Sequence, residues 1–283
     1  MRLQALSVRT EREWGDLVMS LQETGLFGIR DKVKIALERI KTFEPKEGYY
    51  VAFSGGKDSV VILDLVKQAG VKFDAHYNIT GVDPPELFYF IRDQHPEVQR
   101  HRPEITMWAL IAKKMMPPTR TARFCCEYLK EGGGVGRIVV TGIRWAESVR
   151  RGRRRMLEIC ARDKLKTYFH PIIDWTAADV WEYIHMNNVP YCSLYDEGFK
   201  RLGCIGCPMN TKRYEEFKRW PRYETLYRRA FQQAVEARRN RPLEWHSKHP
   251  LRVIWNSGDD MWDWWMSEKS PKGICPDQTV LFE

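Results

Sequence analysis

Four cysteines stand in two groups whose spacing could hold a metal centre. Cys125 and Cys126 are adjacent, and Cys204 and Cys207 form a CxxC pair much further along the chain. A CxxC pair presents two sulfurs from one turn, and a following proline, here Pro208, is common at iron–sulfur ligands. Adjacent cysteines fit poorly around one small tetrahedral ion, whereas a cubane cluster offers four separate irons. The pattern favours an iron–sulfur cluster over structural zinc, and buried thiols without a metal are the alternative.

A second group of residues has the composition of a phosphate-binding loop. It follows a short apolar segment, precedes a helical pattern, and comprises Ser54, Gly55, Gly56, Lys57, Asp58 and Ser59. Glycines let backbone N–H groups approach an anion, and a helix N-terminus adds partial positive charge. The serine hydroxyls can donate hydrogen bonds, and Asp58 could hold Mg²⁺ or fix the loop. The segment matches neither GxxxxGK[ST] nor GxGxxG, and an ordinary tight turn is the alternative.

SGGKDS at 54–59 resembles the PP-loop signature, SGGxDS, of the adenine-nucleotide α-hydrolase superfamily. That resemblance implies a doubly wound sheet and a loop around the phosphates of ATP or the sulfate or phosphate end of a related adenylate. Together with the cysteines, the loop resembles the phosphoadenosine/adenosine phosphosulfate (PAPS/APS) reductase family. In the cluster-bearing members of that family, a Cys-Cys pair and a distant CxxC bind one [4Fe-4S] cluster. The resemblance covers roughly residues 45–220, and implies that Cys125, Cys126, Cys204 and Cys207 are cluster ligands.

Two further segments resemble the same family. Residues 80–86, TGVDPPE, are similar to its TG-x-x-x-PE segment, and residues 141–151 are similar to its G-x-R-x-x-x-S-x-x-R segment. The resemblance implies an adenine nucleotide (ATP, APS or PAPS) as ligand and a thioredoxin-like reductant as partner. Besides the PP-loop, it implies nucleotide contacts at Thr80, Gly81, Gly142, Arg144, Ser148 and Arg151.

Two features depart from the reductase pattern. The reductases end in a mobile ECG tail followed by an apolar residue and His, and its cysteine attacks the substrate sulfur. The last cysteine here, Cys275, is followed by Pro276 and has no nearby histidine, so it is a weak candidate nucleophile. The PP-loop is also intact, which is more typical of members that cleave ATP between its α- and β-phosphates.

Three functions are consistent with these residues. The first is sulfonucleotide reduction or related sulfur transfer. The second is an ATP pyrophosphatase that adenylates or thiolates a nucleic acid. The third is a non-catalytic nucleotide-binding protein within a nucleic-acid or ribonucleoprotein complex. The intact PP-loop and two basic segments motivate the second hypothesis, and the missing reductase tail motivates the third. Of the basic segments, Arg144–Arg155 holds six arginines and one glutamate, and Lys212–Arg241 holds ten lysines and arginines and four glutamates.

Composition limits the class of protein. The chain has 283 residues, 43% hydrophobic and 29% charged, with 46 Lys and Arg against 37 Asp and Glu. These values predict a folded protein with a sizeable core. No apolar run is long enough to span a membrane, and the first residues do not resemble a secretory signal. Seven cysteines in such a chain favour reduced thiols over disulfides, so we expect a cytoplasmic protein without membrane contact.

Hydrophobic patterns predict the elements that position these residues. Strands are expected at 49–53, 72–79, 138–143 and 169–173. Helices are expected over 10–46, from 60 to a C-terminal Gly70, after Asp83 as cap, over 107–115, from Thr176 with Asp179 completing a capping box, and over 223–234. This alternation predicts an α/β fold with a doubly wound, mostly parallel sheet and helical N- and C-terminal additions, with ligand at the carboxyl ends of the strands. We therefore divide the chain into 1–46, 47–210 and 211–283.

Overall fold

The structure is a computed structural model that describes residues 20–25, 28–160, 165–242 and 255–267, together with Glu244. Its strands are β1 (Gln22–Gly25), β2 (Gly28–Asp31), β3 (Tyr49–Ala52), β4 (Phe73–Asn78), β5 (Gln99–His101), β6 (Ile138–Val140), β7 (Leu157–Ile159) and β8 (Thr167–Phe169). Its helices are α1 (Lys32–Thr42), α2 (Lys57–Ala69), α3 (Pro85–Gln94), α4 (Met107–Lys114), α5 (Phe124–Leu129), α6 (Ala177–Met186), α7 (Arg213–Arg219), α8 (Pro221–Arg239) and α9 (Gly258–Met266).

A six-stranded sheet with the order β5-β4-β3-β6-β8-β7 forms the centre of the fold. Neighbouring strands are parallel, except that β7 and β8 are antiparallel. From β3 the chain moves outward to β4 and β5, and it returns to the other side of β3 at β6. Strand order therefore reverses between β3 and β6, which is where doubly wound sheets bind ligands. The predicted mostly parallel, doubly wound fold is confirmed.

Helix α2 connects the sheet to the helices beside it. Most of its side chains are buried, and it packs against both α1 and α6. It ends at Gly70, whose φ of 69° is left-handed, as the sequence predicted. The predicted capping box of α6 is also present, because Thr176 accepts from the Asp179 N–H and Asp179 accepts from the Thr176 N–H. These ends fix where the loops at the sheet edge begin.

The C-terminal helices form an aromatic cluster. Helix α8 packs against α4 and α9, and the side chains of Tyr227, Phe231, Trp262 and Trp265 are all buried there. Tyr227 and Trp265 rings lie 4.9 Å apart between centroids. Trp262 and Trp265 of α9 therefore serve packing.

Several elements differ from the sequence-based prediction. The helix expected over 10–46 begins only at Lys32 within the described residues, because Gln22–Gly25 and Gly28–Asp31 pair as antiparallel strands. Asp31 ends β2 and caps α1 by accepting from the Val33 and Lys34 N–H groups. The strand expected at 169–173 is instead Thr167–Phe169, and a turn follows it. Strands β5 and β7 were not expected, because they lie at the two edges of the sheet and lack the buried apolar run that predicted the equally short β6. No helix in the described part of the chain could cross a membrane.

Candidate functional site

The predicted PP-loop connects β3 to α2 and is braced by its own serines. The Ser54 N–H donates to Ser59 Oγ at 3.2 Å, and the Ser59 hydroxyl donates to the Gly56 carbonyl at 2.8 Å. Gly55 has a φ of +71°, and a Cβ there would lie 2.7 Å from the side chain of Leu87. This position therefore needs glycine for two reasons, conformation and space. The loop is a tight strand-to-helix turn with a shape set before any ligand binds.

Asp58 is held between two cations at the start of α2. Its Oδ1 accepts from Arg144 Nε at 2.7 Å, and its Oδ2 lies 3.3 Å from Lys57 Nζ. Arg144 is only 3% exposed and also reaches the Trp175 carbonyl. A Cβ on Gly142 would lie 2.8 Å from Asp58, so this glycine permits the close approach. Arg144 and Gly142 therefore hold the loop in place, and the ligand contacts expected of both residues stay predictions.

Tyr195 connects the loop to the segment ahead of the CxxC pair. Its hydroxyl oxygen accepts from the Lys57 N–H at 2.9 Å and also from the backbone of Leu202. Burial raises the pKa of Tyr195, so the phenol stays neutral. Local sequence does not distinguish Tyr195, because Lys57, whose N–H it accepts from, is 138 positions away in the chain.

The turn after β4 contacts the CxxC segment directly. Thr80 is buried, and its hydroxyl donates to Asp83 Oδ2 at 2.8 Å, as does the Tyr77 hydroxyl at 2.6 Å. Cys204 Sγ lies 3.8 Å from Thr80 Oγ1 and 3.9 Å from Asp83 Oδ1. Gly81 is exposed with a φ of +75°. Asp83 was expected to cap α3, but Pro84 occupies that position and Asp83 fixes the turn instead.

The four predicted cluster ligands lie within electrostatic range of one another. The Cys125 thiol donates to Cys126, and the charges of Cys204 and Cys207 also raise the pKa of Cys125. This hydrogen bond and Arg123, whose guanidinium donates to Cys126 Sγ at 3.4 Å, lower the pKa of Cys126. Among the described residues, no three His, Cys, Asp or Glu side chains are placed to hold a single metal ion. The donor set fits a larger, four-thiolate group better than one ion.

Lys130 joins the cysteines to the turn after β4, and sequence reasoning missed it. The residue as a whole is exposed, and desolvation of its ammonium opposes the charge, but the charges of Cys204 and Asp83 and a hydrogen bond with Cys204 raise the pKa of Lys130. The pKa of Cys204 is raised to about 11, chiefly by burial. Lys130 follows Cys126 by four residues, at the end of α5. That spacing places residues on one helix face, and it was the available signal.

A cavity of about 260 Å³ opens beside these groups. It lies on the sheet face that includes Tyr50 and Val139, and it reaches the carboxyl ends of β3 and β4. Its lining includes Ser54, Asp83, Lys130, Lys166 and Gly203. We call it the strand-end cavity. Residues from the PP-loop, the turn after β4 and the CxxC segment thus border one space.

The first basic segment is partly neutralised by its own carboxylates. Arg151 pairs with Glu147, and Arg154 pairs with Glu158 at 2.6 Å. Ser148 Oγ accepts from the Arg151 N–H at 3.2 Å, so this serine stabilises the local 3₁₀ turn. Arg144 is likewise paired with a carboxylate, that of Asp58. Cys275 lies outside the described residues.

Family comparison agrees with this architecture. Residues 48–210 match the phosphoadenosine phosphosulfate reductase domain, which is more than half of the chain. The chain therefore belongs to the PAPS reductase family, in the PP-loop superfamily.

Individual relatives carry several names. An uncharacterized protein of Methanocaldococcus jannaschii is 29% identical over 77% of this chain, but the chain spans only 46% of that relative. An adenosine 5'-phosphosulfate reductase of Oceanobacillus iheyensis is 28% identical over 55% of this chain and 69% of its own length. A probable FAD synthase of Schizosaccharomyces pombe is 29% identical over 64% of this chain and 69% of its own length. The PAPS reductase structure of Candida auris is 20% identical, with a TM-score of 0.44 over 60% of this chain and 87% of that one.

Proposed function

We propose that this protein binds an adenine nucleotide at the PP-loop and strand-end cavity and acts in sulfonucleotide reduction or related sulfur transfer. The observation that carries the proposal is the convergence of the PP-loop, the Thr80–Asp83 turn and the CxxC segment on one cavity, with Lys130 contacting Cys204. Thiol chemistry and nucleotide binding are thereby brought side by side. The relatives named as adenosine 5'-phosphosulfate reductases support the same chemistry.

We propose that Cys125, Cys126, Cys204 and Cys207 hold a [4Fe-4S] cluster. The donor set supports it, since four thiols from two segments lie in electrostatic range and the cations of Arg123 and Lys130 lie beside them. When bound, the cluster would join the two cysteine segments and tune the charge beside the nucleotide. The protein would then work in a reducing compartment such as the cytoplasm, where thiols persist.

Within the site, we assign Lys130 and Lys166 to the anionic end of the nucleotide, because both border the strand-end cavity. Asp58 fixes the PP-loop, because both of its oxygens already face cations. Binding of Mg²⁺ and ligand contacts by Thr80, Gly81, Ser148 and Arg151 stay predictions, as does a nucleophilic role for Cys275. Reduction of APS or PAPS would release sulfite and the nucleotide while a thioredoxin-like dithiol is oxidised to a disulfide.

A second candidate function is ATP cleavage between the α- and β-phosphates. The intact SGGKDS loop and the relative named as a probable FAD synthase favour it. Whether the acceptor is a nucleic acid stays a prediction, and the carboxylate pairing within Arg144–Arg155 weakens that version.

One experiment separates these functions. The protein is purified without oxygen, iron and sulfide are measured, and ATP, APS and PAPS are supplied in turn with thioredoxin. Sulfite release supports reduction, whereas pyrophosphate release from ATP, with or without added RNA or DNA, supports the second candidate. Nucleotide binding without either product indicates an accessory binding protein. Cys275→Ser with unchanged sulfite release would remove Cys275 from the mechanism.

The cluster has its own test. Cys204→Ser should lower the iron and sulfide content of the anaerobic protein, because one of four ligands is lost. Cys160→Ser is the matched control, since Cys160 is a half-buried free thiol outside the four. Iron-free wild-type protein, or equal iron in both variants, would contradict the cluster assignment.

A further inference from the structure

A second cavity, of about 310 Å³, lies on the sheet face near β3, β4 and β5. Its wall includes Tyr50, His76, Asn78, His101, Arg102 and Tyr128. We call it the histidine cavity. Tyr50, His76 and Asn78 also line the strand-end cavity, so the contents of the two cavities would lie side by side.

A chain of hydrogen bonds fixes the imidazoles in this wall. Arg137 donates to both oxygens of Asp74, and Asp74 in turn contacts His76 Nε2. His76 Nδ1 lies 2.8 Å from His101 Nε2. Burial opposes ionisation of Asp74, but hydrogen bonds from Arg137 and His76 lower its pKa. An ionised carboxylate only accepts, so His76 donates through Nε2 and, when neutral, accepts from His101 through Nδ1.

The chain is rigid at one end and open at the other. His76 is 9% exposed, and the Tyr50 ring stacks on it with centroids 4.0 Å apart and planes 5° apart. His101 and Arg102, in contrast, are exposed and face the cavity. The bond from His76 therefore orients an accessible imidazole.

The charge of the cavity has one sign. Among the described residues that line it there is no Asp or Glu, whereas Arg102 is present. Lys114 adds to this charge, because its Nζ lies 5.0 Å from the centroid of the Tyr128 ring. The only carboxylate in the hydrogen-bond chain described here, Asp74, is paired with Arg137. A concave surface of this kind concentrates anions.

We propose that the histidine cavity binds an oxyanion-bearing group, with Arg102 as its charged contact, His101 as the imidazole beside it and His76 as the residue that positions His101. Phosphate, sulfonate and carboxylate groups share this chemistry. The group could be a second phosphate on the nucleotide in the strand-end cavity, or it could belong to a separate small molecule. The first source rests on the proposed function, but the oxyanion site itself does not.

Inorganic phosphate is the probe, and the histidine ring resonances of the full-length protein are the readout by NMR. Phosphate should shift the His101 resonances, and Arg102→Gln should weaken that response about tenfold, the effect of losing one charged hydrogen bond. Arg100→Gln is the matched control, because Arg100 does not line the cavity and successive residues of β5 point to opposite faces, so its side chain leaves the strand on the face opposite to His101. It should leave the response unchanged. A Ser59→Ala variant excludes signals transmitted from phosphate at the PP-loop.

Failure to shift His101, or equal weakening by Arg100→Gln and Arg102→Gln, would overturn the proposal. The two sources of the oxyanion are distinguished by comparing the His101 shifts produced by AMP and by adenosine 3′,5′-bisphosphate. A His101 shift with the bisphosphate but not with AMP supports the second phosphate, and a shift by phosphate added to the AMP-bound protein supports a separate molecule. If neither nucleotide binds while phosphate still shifts His101, the proposed function fails and the oxyanion site stands.

Discussion

Gly142→Ala tests how closely β6 and the PP-loop must approach. A Cβ at Gly142 would lie 2.8 Å from both Cβ and the carbonyl oxygen of Asp58. Carbon atoms in contact normally lie about 3.5–4.0 Å apart, so the first turn of α2 must move by roughly 1 Å. The added Cβ would meet the Asp58 backbone, which cannot rotate away as the end of a flexible side chain can. Overpacking of this kind costs about 1–3 kcal/mol, and we expect the free energy of unfolding to fall by that amount.

Nucleotide binding should fall as well, by about tenfold or more, because the movement displaces Asp58 and its contact with Arg144. Urea unfolding gives the stability, and calorimetric titration with ATP and APS gives the affinity. Gly132→Ala is the control, since a Cβ there meets nothing within 4 Å and should change stability by less than about 0.5 kcal/mol. If the two variants have the same stability and affinity, the close approach does not shape the loop.

Three further changes have expected outcomes. Tyr195→Phe removes the acceptor of the Lys57 N–H, so urea unfolding should give a loss of about 1–2 kcal/mol, and an unchanged midpoint would contradict this. Burial lowers the pKa of His95, so stability should fall as pH drops below its ordinary value of 6.5, and His95→Phe should reduce the difference measured between about pH 7.5 and 5.5. Arg144→Gln leaves Asp58 without its shortest ion pair and should cost about 3 kcal/mol, whereas exposed Arg153→Gln should change little in the same assay.

Local sequence was sufficient wherever neighbours in the chain determine the structure. The PP-loop, the left-handed Gly70 and the Thr176–Asp179 capping box depend on contacts a few residues apart, and all were predicted. Prediction failed for β5 and β7, which lie at the two edges of the sheet and lack the buried apolar run that predicted the equally short β6. It also failed for Gln22–Gly25 and Gly28–Asp31, which pair as antiparallel strands where a helix was expected.

Roles within the site were harder to predict, because they depend on distant partners. Arg144 has the position of a ligand-binding arginine in sequence, yet it is buried against Asp58, which is 86 positions away. Asp83 precedes a helix, yet it accepts from Thr80 and Tyr77 rather than capping. In both cases a charged group satisfied its hydrogen bonds within the fold.

The sequence by itself determined the family pattern, the doubly wound sheet and the types of group available for chemistry. Only the tertiary structure decided that the Thr80–Asp83 turn contacts Cys204, that Tyr195 joins the PP-loop to Leu202, and that His76 and His101 line a second cavity. The physical reason is that composition and local spacing set which elements form, whereas the pairing of parallel strands brings residues far apart in the chain to one edge and one face of the sheet.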